Sequence, residues 1–182
     1  IHIYINGAET SYQTTQDGGG GITGDGGSDF RIGNGSANDS TFDGLIDDVR
    51  VYNRALSSDE IKRLYKIGAT LKLGVTRTDT LTDGLVGHWT FDGGDMAGER
   101  AYDRSGNSNT GLLTNGPVRR AGRIGQALEF DGADDIVNAG KPTSLNNLDV
   151  KTITAWIKLD SFGESNVGRI ADKDNEVSTG WR

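Results

Sequence analysis

Residues 151–159, KTITAWIKL, place Ile153, Ala155, Ile157 and Leu159 on one side of a strand and Thr152, Thr154, Trp156 and Lys158 on the other. This period of two dominates the chain. Ile1, Ile3 and Ile5 alternate with polar residues and run into Asn6-Gly7, a pair that accepts the positive φ of a tight hairpin. Phe30 and Ile32, residues 45–52 (LIDDVRVY), residues 85–91 (LVGHWTF), residues 124–130 (IGQALEF) and Ile136-Val137 add further strands, and residues 168–182 have room for one more. Helical spacing is well marked once. Ser57 and Glu60 have the spacing of a capping box, Leu56 and Ile61 that of a hydrophobic staple, Ile61, Leu64 and Tyr65 form an apolar face, and Gly68 is placed to end it. A chain of many strands and one short helix reads as all-β, an antiparallel sandwich.

Composition narrows the functional classes. Of 182 residues 28 are glycine and none is cysteine, which excludes disulfides, thiolate metal sites and cysteine nucleophiles. The net charge of −7 is spread evenly, with no basic stripe, so nucleic acid is not an expected partner. No apolar run is long enough to insert in a membrane as a helix. The chain starts at Ile1 and shows no signal peptide, and it reads as excised from something longer. Residues 17–29, DGGGGITGDGGSD, read as a flexible loop rather than a metal-binding repeat. Residues 69–83 are threonine-rich and read as an extended linker, although Leu71, Leu73 and Val75 alternate as an edge strand would.

Several motifs together resemble the laminin-G-like jelly roll of the concanavalin A-like lectin/glucanase superfamily. FDGLIDDVRVYNRALSSDEIKRLY (42–65) is similar to that family's last strand and closing helix. GLVGHWTFDG (84–93) resembles its opening strand, DRSGNSNTGLL (103–113) and GRIGQALEFDGADDIV (122–137) its next loop and strands, and TITAWIK (152–158) the strand after those. The C-terminal half of the pattern thus comes first. One account is a tandem array cut out of phase, with residues 1–68 ending one repeat, 69–83 linking, and 84–182 beginning the next; the other is a single circularly permuted domain. The resemblance implies a non-catalytic extracellular or cell-surface module that binds glycans or surface proteins beside neighbouring repeats of its chain, or spaces an adhesin or stalk. The alternatives are the accessory carbohydrate-binding module of a secreted glycosidase and a subunit of an extracellular filament.

Residue chemistry agrees with a non-enzyme. His2 and His88 read as structural, no G-x-S-x-G elbow occurs, and the paired-carboxylate spacing E-x-D-x-E of the superfamily's glucanases is missing. Calcium is the expected ligand, in a structural role. Asp92 follows the opening strand, Asp103 begins a polar loop and Asp48 lies in the closing strand, with Asn107 and Asn109 or nearby carbonyls to complete an oxygen shell. Pairing of Asp48 with Arg50, and of Asp92 with Arg104 or a turn, is the alternative. The motif FDG, at Phe42, Phe91 and Phe130, reads as a core plug followed by a turn. Trp156, Trp181 and Tyr102 are the aromatics offered for stacking on a sugar, with burial in the core as the alternative for a tryptophan.

Overall fold

The computed structural model describes residues 2–10, 25–35, 40–69, 80–163 and 168–173. In chain order the strands are β1 (Tyr4–Ile5), β2 (Ala8–Glu9), β3 (Arg31–Ile32), β4 (Asp43–Tyr52), β5 (Leu85–Trp89), β6 (Met96–Ala97), β7 (Arg100–Ala101), β8 (Gly111–Thr114), β9 (Val118–Ala121), β10 (Gln126–Asp131), β11 (Ile136–Asn138), β12 (Thr152–Ser161) and β13 (Ala171–Asp172). Helix α1 spans Ser58–Ala69. The architecture is an antiparallel β-sandwich of the jelly-roll kind. Tyr52, Trp156, Trp181 and the rest of the chain's aromatics divide between its core, its surface and the undescribed residues, which include Trp181, Tyr12, residues 17–24 and most of 69–83.

One sheet has the order β12-β4-β10-β9, with β5 also on β4; the other runs β13-β3-β11-β8-β7-β6. Strand β4 is the hub. Along one edge it pairs with β12 from Asp43 to Tyr52. Along the other it pairs with β10 through Asp43–Ile46 and with β5 through Val49–Tyr52. Strands on both sides of residues 70–79 therefore share a ladder.

The core follows the period-two pattern. Phe30, Ile32, Ile46, Val49, Trp89, Phe91, Leu128 and Val137 are fully buried. Phe30 stacks on Trp89 with centroids 5.1 Å apart, and Phe42 meets Phe130 edge-on at 6.5 Å. All three FDG phenylalanines are interior. Their Asp-Gly pairs differ: Asp43-Gly44 begins β4, whereas Asp92-Gly93 and Asp131-Gly132 lead into turns.

Three local expectations change. Ile153, Ala155, Ile157 and Leu159 were expected on one side of the strand; only the first two pack on the core, and Ile157 and Leu159 are 47% and 43% exposed. Ladder irregularities at Thr154/Trp156 and Leu159/Ser161 interrupt the alternation of β12. Gly68 does not end the helix. It lies inside α1 because its missing side chain leaves room for the Trp156 ring, which a Cβ there would strike. From the glycine-rich stretch, Asp25–Gly27 is a 3-10 turn with Asp25 fully buried, its Oδ1 accepting from the Asn147 amide at 2.7 Å.

The capping box forms. The Ser57 amide donates to Glu60 Oε2 at 2.8 Å, and the Glu60 amide donates to Ser57 Oγ at 3.3 Å. Arg54 adds a two-pronged contact to Glu60 at 3.0 and 2.7 Å. Arg54, with the Ser57 amide, pulls the Glu60 carboxyl down to about 2. Ser57→Ala should cost about 1 kcal/mol in denaturant titration. Because the Glu60 pKa is lowered, its contribution is present above its ordinary value of 4.5 and is lost as pH falls through about 2. Glu60→Gln should flatten that acid limb of the midpoint-versus-pH curve.

Candidate functional site

The two partners of β4 along one edge do not meet. β10 stops at Ile46 and β5 begins at Val49, leaving Asp47 and Asp48 opposite a break in the ladder. Asp48 there takes φ 51°, a left-handed value rare for a side chain with a Cβ, and β4 bulges against β12 at the same level. The bulge sends the two adjacent aspartates to different surroundings.

Asp48 is an ion-pair acceptor. Its Oδ1 lies 2.7 Å from His88 Nε2 and its Oδ2 lies 2.9 Å from an Arg50 nitrogen. Although burial opposes it, the His88 contact and the Arg50 charge together hold its carboxyl below the usual range.

Asp47 is 2% exposed and faces the turn between β9 and β10. Its Oδ2 accepts from the Ile124 amide at 2.8 Å. Two residues on, the Gln126 amide donates to Asp92 Oδ1 at 2.7 Å, so Asp47 and Asp92 grip alternate amides of one turn. Gly125 holds φ +66° there, and a Cβ on it would collide with the Asp92 carboxylate. Asp47 Oδ1 and Gln126 Oε1 are both buried without a hydrogen-bond partner. Burial first, then the charges of Asp48 and Asp92, push the Asp47 carboxyl up to about 6 against the pull of the Ile124 and Arg123 amides. No Lys or Arg among the described residues pairs with Asp47 or Asp92. Two carboxylates and an amide at this turn carry oxygens of the kind a hard divalent cation takes, and two of those oxygen atoms are buried without a partner.

The expected ligands are thus distributed over two places. Asp92 lies in this pocket, and Asp48 is tied to Arg50 and His88. Asp103 spends its lone pairs on local order: Oδ1 accepts from the amides of His88 and Ser105, and Oδ2 from the Asn109 amide and Ser105 Oγ. Asn107 and Asn109 both donate to the Val86 carbonyl, and the Asn109 carbonyl receives the Trp89 Nε1 proton at 2.8 Å. These residues pin the 103–110 loop onto β5. Asp47 and Gln126 were not singled out from the sequence. The available signal was the spacing of Ile46, Val49 and Val51, three and then two, which requires a bulge at the aspartates.

A second acidic group lies at the other end of β10. Asp131, Asp134 and Asp135 offer oxygens within 4.8 Å of one another, two of the three residues being exposed. Asp43, Glu129 and Asp160 line the same depression. Its carboxylates are engaged in a turn: the Asp131 amide donates to Asp135 Oδ2, and the Ala133 amide to Asp131 Oδ1.

Of the aromatics, Trp156 stacks with the Tyr65 ring at 5.4 Å and carries the Arg123 guanidinium over its ring at 5.3 Å. Tyr102 is 42% exposed at the loop end. Trp181 lies outside the described residues.

The β4 strand, which carries Asp47 and Asp48, and the start of α1 are also in the part of the chain that comparison with known families recognises. Residues 1–62 match the laminin G-type model of the concanavalin A-like lectin/glucanases superfamily. Neither a curated protein nor a solved structure matches the chain. The superfamily match agrees with the sandwich and fits a carbohydrate- or protein-binding module, a class typically without catalytic activity and often calcium-binding. No described helix is long and apolar enough to cross a membrane.

Proposed function

We propose that this chain is a non-catalytic binding module of an extracellular or cell-surface protein, taking a glycan or a surface protein and stabilised by calcium between Asp47, Asp92 and Gln126. The observation that carries the reading is the match of residues 1–62 to a superfamily of binding modules, a segment that also holds the buried, unpartnered Asp47 Oδ1. When bound, calcium would supply fixed positive charge between carboxylates that lack a basic partner. Asp47 and Asp92 would hold it through carboxylate oxygens and Gln126 through its amide oxygen. The turn amides of Ile124 and Gln126 keep both carboxylates aimed inward.

Of the three aromatics offered for stacking on a sugar, Tyr102 is the one whose exposure supports ligand contact. The engagement of Trp156 between Tyr65 and Arg123 supports a structural part for it instead. For domain organisation, the pairing of β4 with β5, β10 and β12 supports the permuted single sandwich within this chain. The glycosidase accessory module and the filament subunit differ from it in what flanks the sandwich, whereas the array assigns residues 1–68 and 84–182 to different repeats.

The test is glycan-array and surface-protein binding by the whole chain, with calcium and then with chelator. Specific binding that chelation weakens, and that Tyr102→Ala lowers about tenfold, supports the module; the tenfold corresponds to loss of a single aromatic contact of roughly 1.4 kcal/mol. Absence of any ligand under both conditions turns the reading to a spacer.

A further inference from the structure

We infer that the outer edge of β12 is a self-association surface, on which a second copy of this chain lays its own β12 antiparallel about a two-fold axis at Leu159. The inference goes beyond the binding reading above and stands without it.

β12 stands at the end of the sheet order β12-β4-β10-β9, and among the described residues no strand pairs with its far edge. Its first half is partly covered, whereas every residue from Ile157 to Ser161 is exposed, as is Phe162 after it. In an antiparallel ladder the backbone groups of successive residues point to opposite edges. The Lys158 carbonyl faces Gly44 of β4, where a side chain would strike it, so the N–H and C=O of Ile157 and Leu159 turn to the free edge. Open backbone groups beside exposed apolar side chains make a template for a further strand.

The order of charges selects a second copy as that strand. Lys158 and Asp160 flank Leu159 and meet on one side of β12, Nζ to Oδ1, at 2.9 Å. With the two-fold at Leu159, Lys158 lies opposite Asp160 of the second copy, and Asp160 opposite Lys158 of the second copy. Moving the axis by one residue sets lysine against lysine or aspartate against aspartate, and like charges directly opposite are destabilising. One register of self-pairing is therefore favoured over its neighbours. In it Leu159 faces Leu159 of the second copy, with Ile157 on the diagonal, so the contact is isologous and closes as a dimer. Asp160 also lines the depression that holds Asp43 and Glu129, so the incoming Lys158 approaches a rim of carboxylates. A lysine and a bulge on an edge strand can also serve to repel other strands. Here the lysine is answered by an aspartate two residues on, which makes the edge complementary to itself. The ladder irregularity at Leu159/Ser161 keeps the added ladder short, and the dimer is accordingly weak and reversible.

Sedimentation velocity of the whole chain over a wide range of concentration should show a monomer–dimer equilibrium. Asp160→Lys and Lys158→Asp should each weaken it about tenfold, by setting like charges opposite one another. The double exchange, Lys158→Asp with Asp160→Lys, should restore it, because the pattern is then only inverted. Both side chains are exposed, so these variants keep the fold, which circular dichroism checks. The chain has no cysteine, so Leu159→Cys carries a single thiol. At the axis two such residues sit with Cα atoms about 5.5 Å apart, within disulfide range. Mild oxidation should link Leu159→Cys into covalent dimers and leave Leu112→Cys, at an exposed leucine on β8, monomeric. A chain that is monomeric at every concentration overturns the proposal. A dimer that neither charge reversal weakens, a double exchange that fails to restore association, or equal linkage at positions 159 and 112 also overturns it.

Discussion

Millimolar calcium should raise the thermal midpoint of this protein by about 5–10 °C, and Asp47→Asn should remove the rise. The size follows from linkage: an ion at about a hundred times its dissociation constant stabilises by about 2.7 kcal/mol, and each kcal/mol moves the midpoint of a chain this long by about 2–4 °C. The same residue sets a pH dependence in chelator. Its carboxyl is raised from the ordinary 3.8 to about 6 in the fold, so the proton favours the folded state. That contribution is complete below about pH 4 and is lost as pH rises through about 6, a loss on the order of 2 kcal/mol after allowance for solvent screening. Asp47→Asn therefore flattens the decline between pH 4 and 6 and is the more stable protein at pH 7 in chelator. Calcium reverses the order. Scanning calorimetry of both proteins, with and without the ion, checks all of this; a wild-type midpoint indifferent to calcium sinks it.

Trp89→Ala is the second large effect, a loss of about 3–5 kcal/mol. Trp89 has no exposed surface, stacks on Phe30, and donates its indole proton to the Asn109 carbonyl. Truncation leaves a cavity beneath β5 and an unpaired carbonyl under the loop that Asp103 organises. Against a total stability of about 5–15 kcal/mol this is a large share. Phe30→Ala alone should cost a comparable amount, and the double variant should cost less than the sum, since the two rings lose the same contact. Additive costs in urea titration would mean that residues 25–68 and 80–163 unfold separately.

The two aspartates of β4 mark how far the sequence was legible. Alternation located β4, β5, β10 and β12, the capping box located α1, and the superfamily match confirms the resemblance drawn from residues 42–65. Side-chain direction at Asp47-Asp48 was not legible by alternation, because a bulge advances the pattern by one residue. Asp92 sits just past a strand end, where no register is at stake. Asp103, Asn107 and Asn109 were offered to calcium from their place in a polar loop; in the structure they bind backbone amides and carbonyls, as short polar side chains in a loop readily do. Gly68 carries the same lesson for helices. A glycine near a helix end is a stop signal only when nothing packs on it, and Trp156 comes from about 90 residues further along the chain.

The hub position of β4 has a kinetic consequence. Tyr52 pairs with Leu85 and Leu45 with Lys158, so the nearest ladder partner lies 33 residues downstream and a distant one 113. On a ribosome the central strand emerges well before any strand that flanks it in the sheet, and closure of such long loops makes refolding slow. During that interval LIDDVRVY is an apolar strand without neighbours. Asp47, Asp48 and Arg50 are then charges in the middle of the segment, and they act as gatekeepers against pairing with other nascent chains. The residues that define the pocket in the finished sandwich thus guard the strand while it waits.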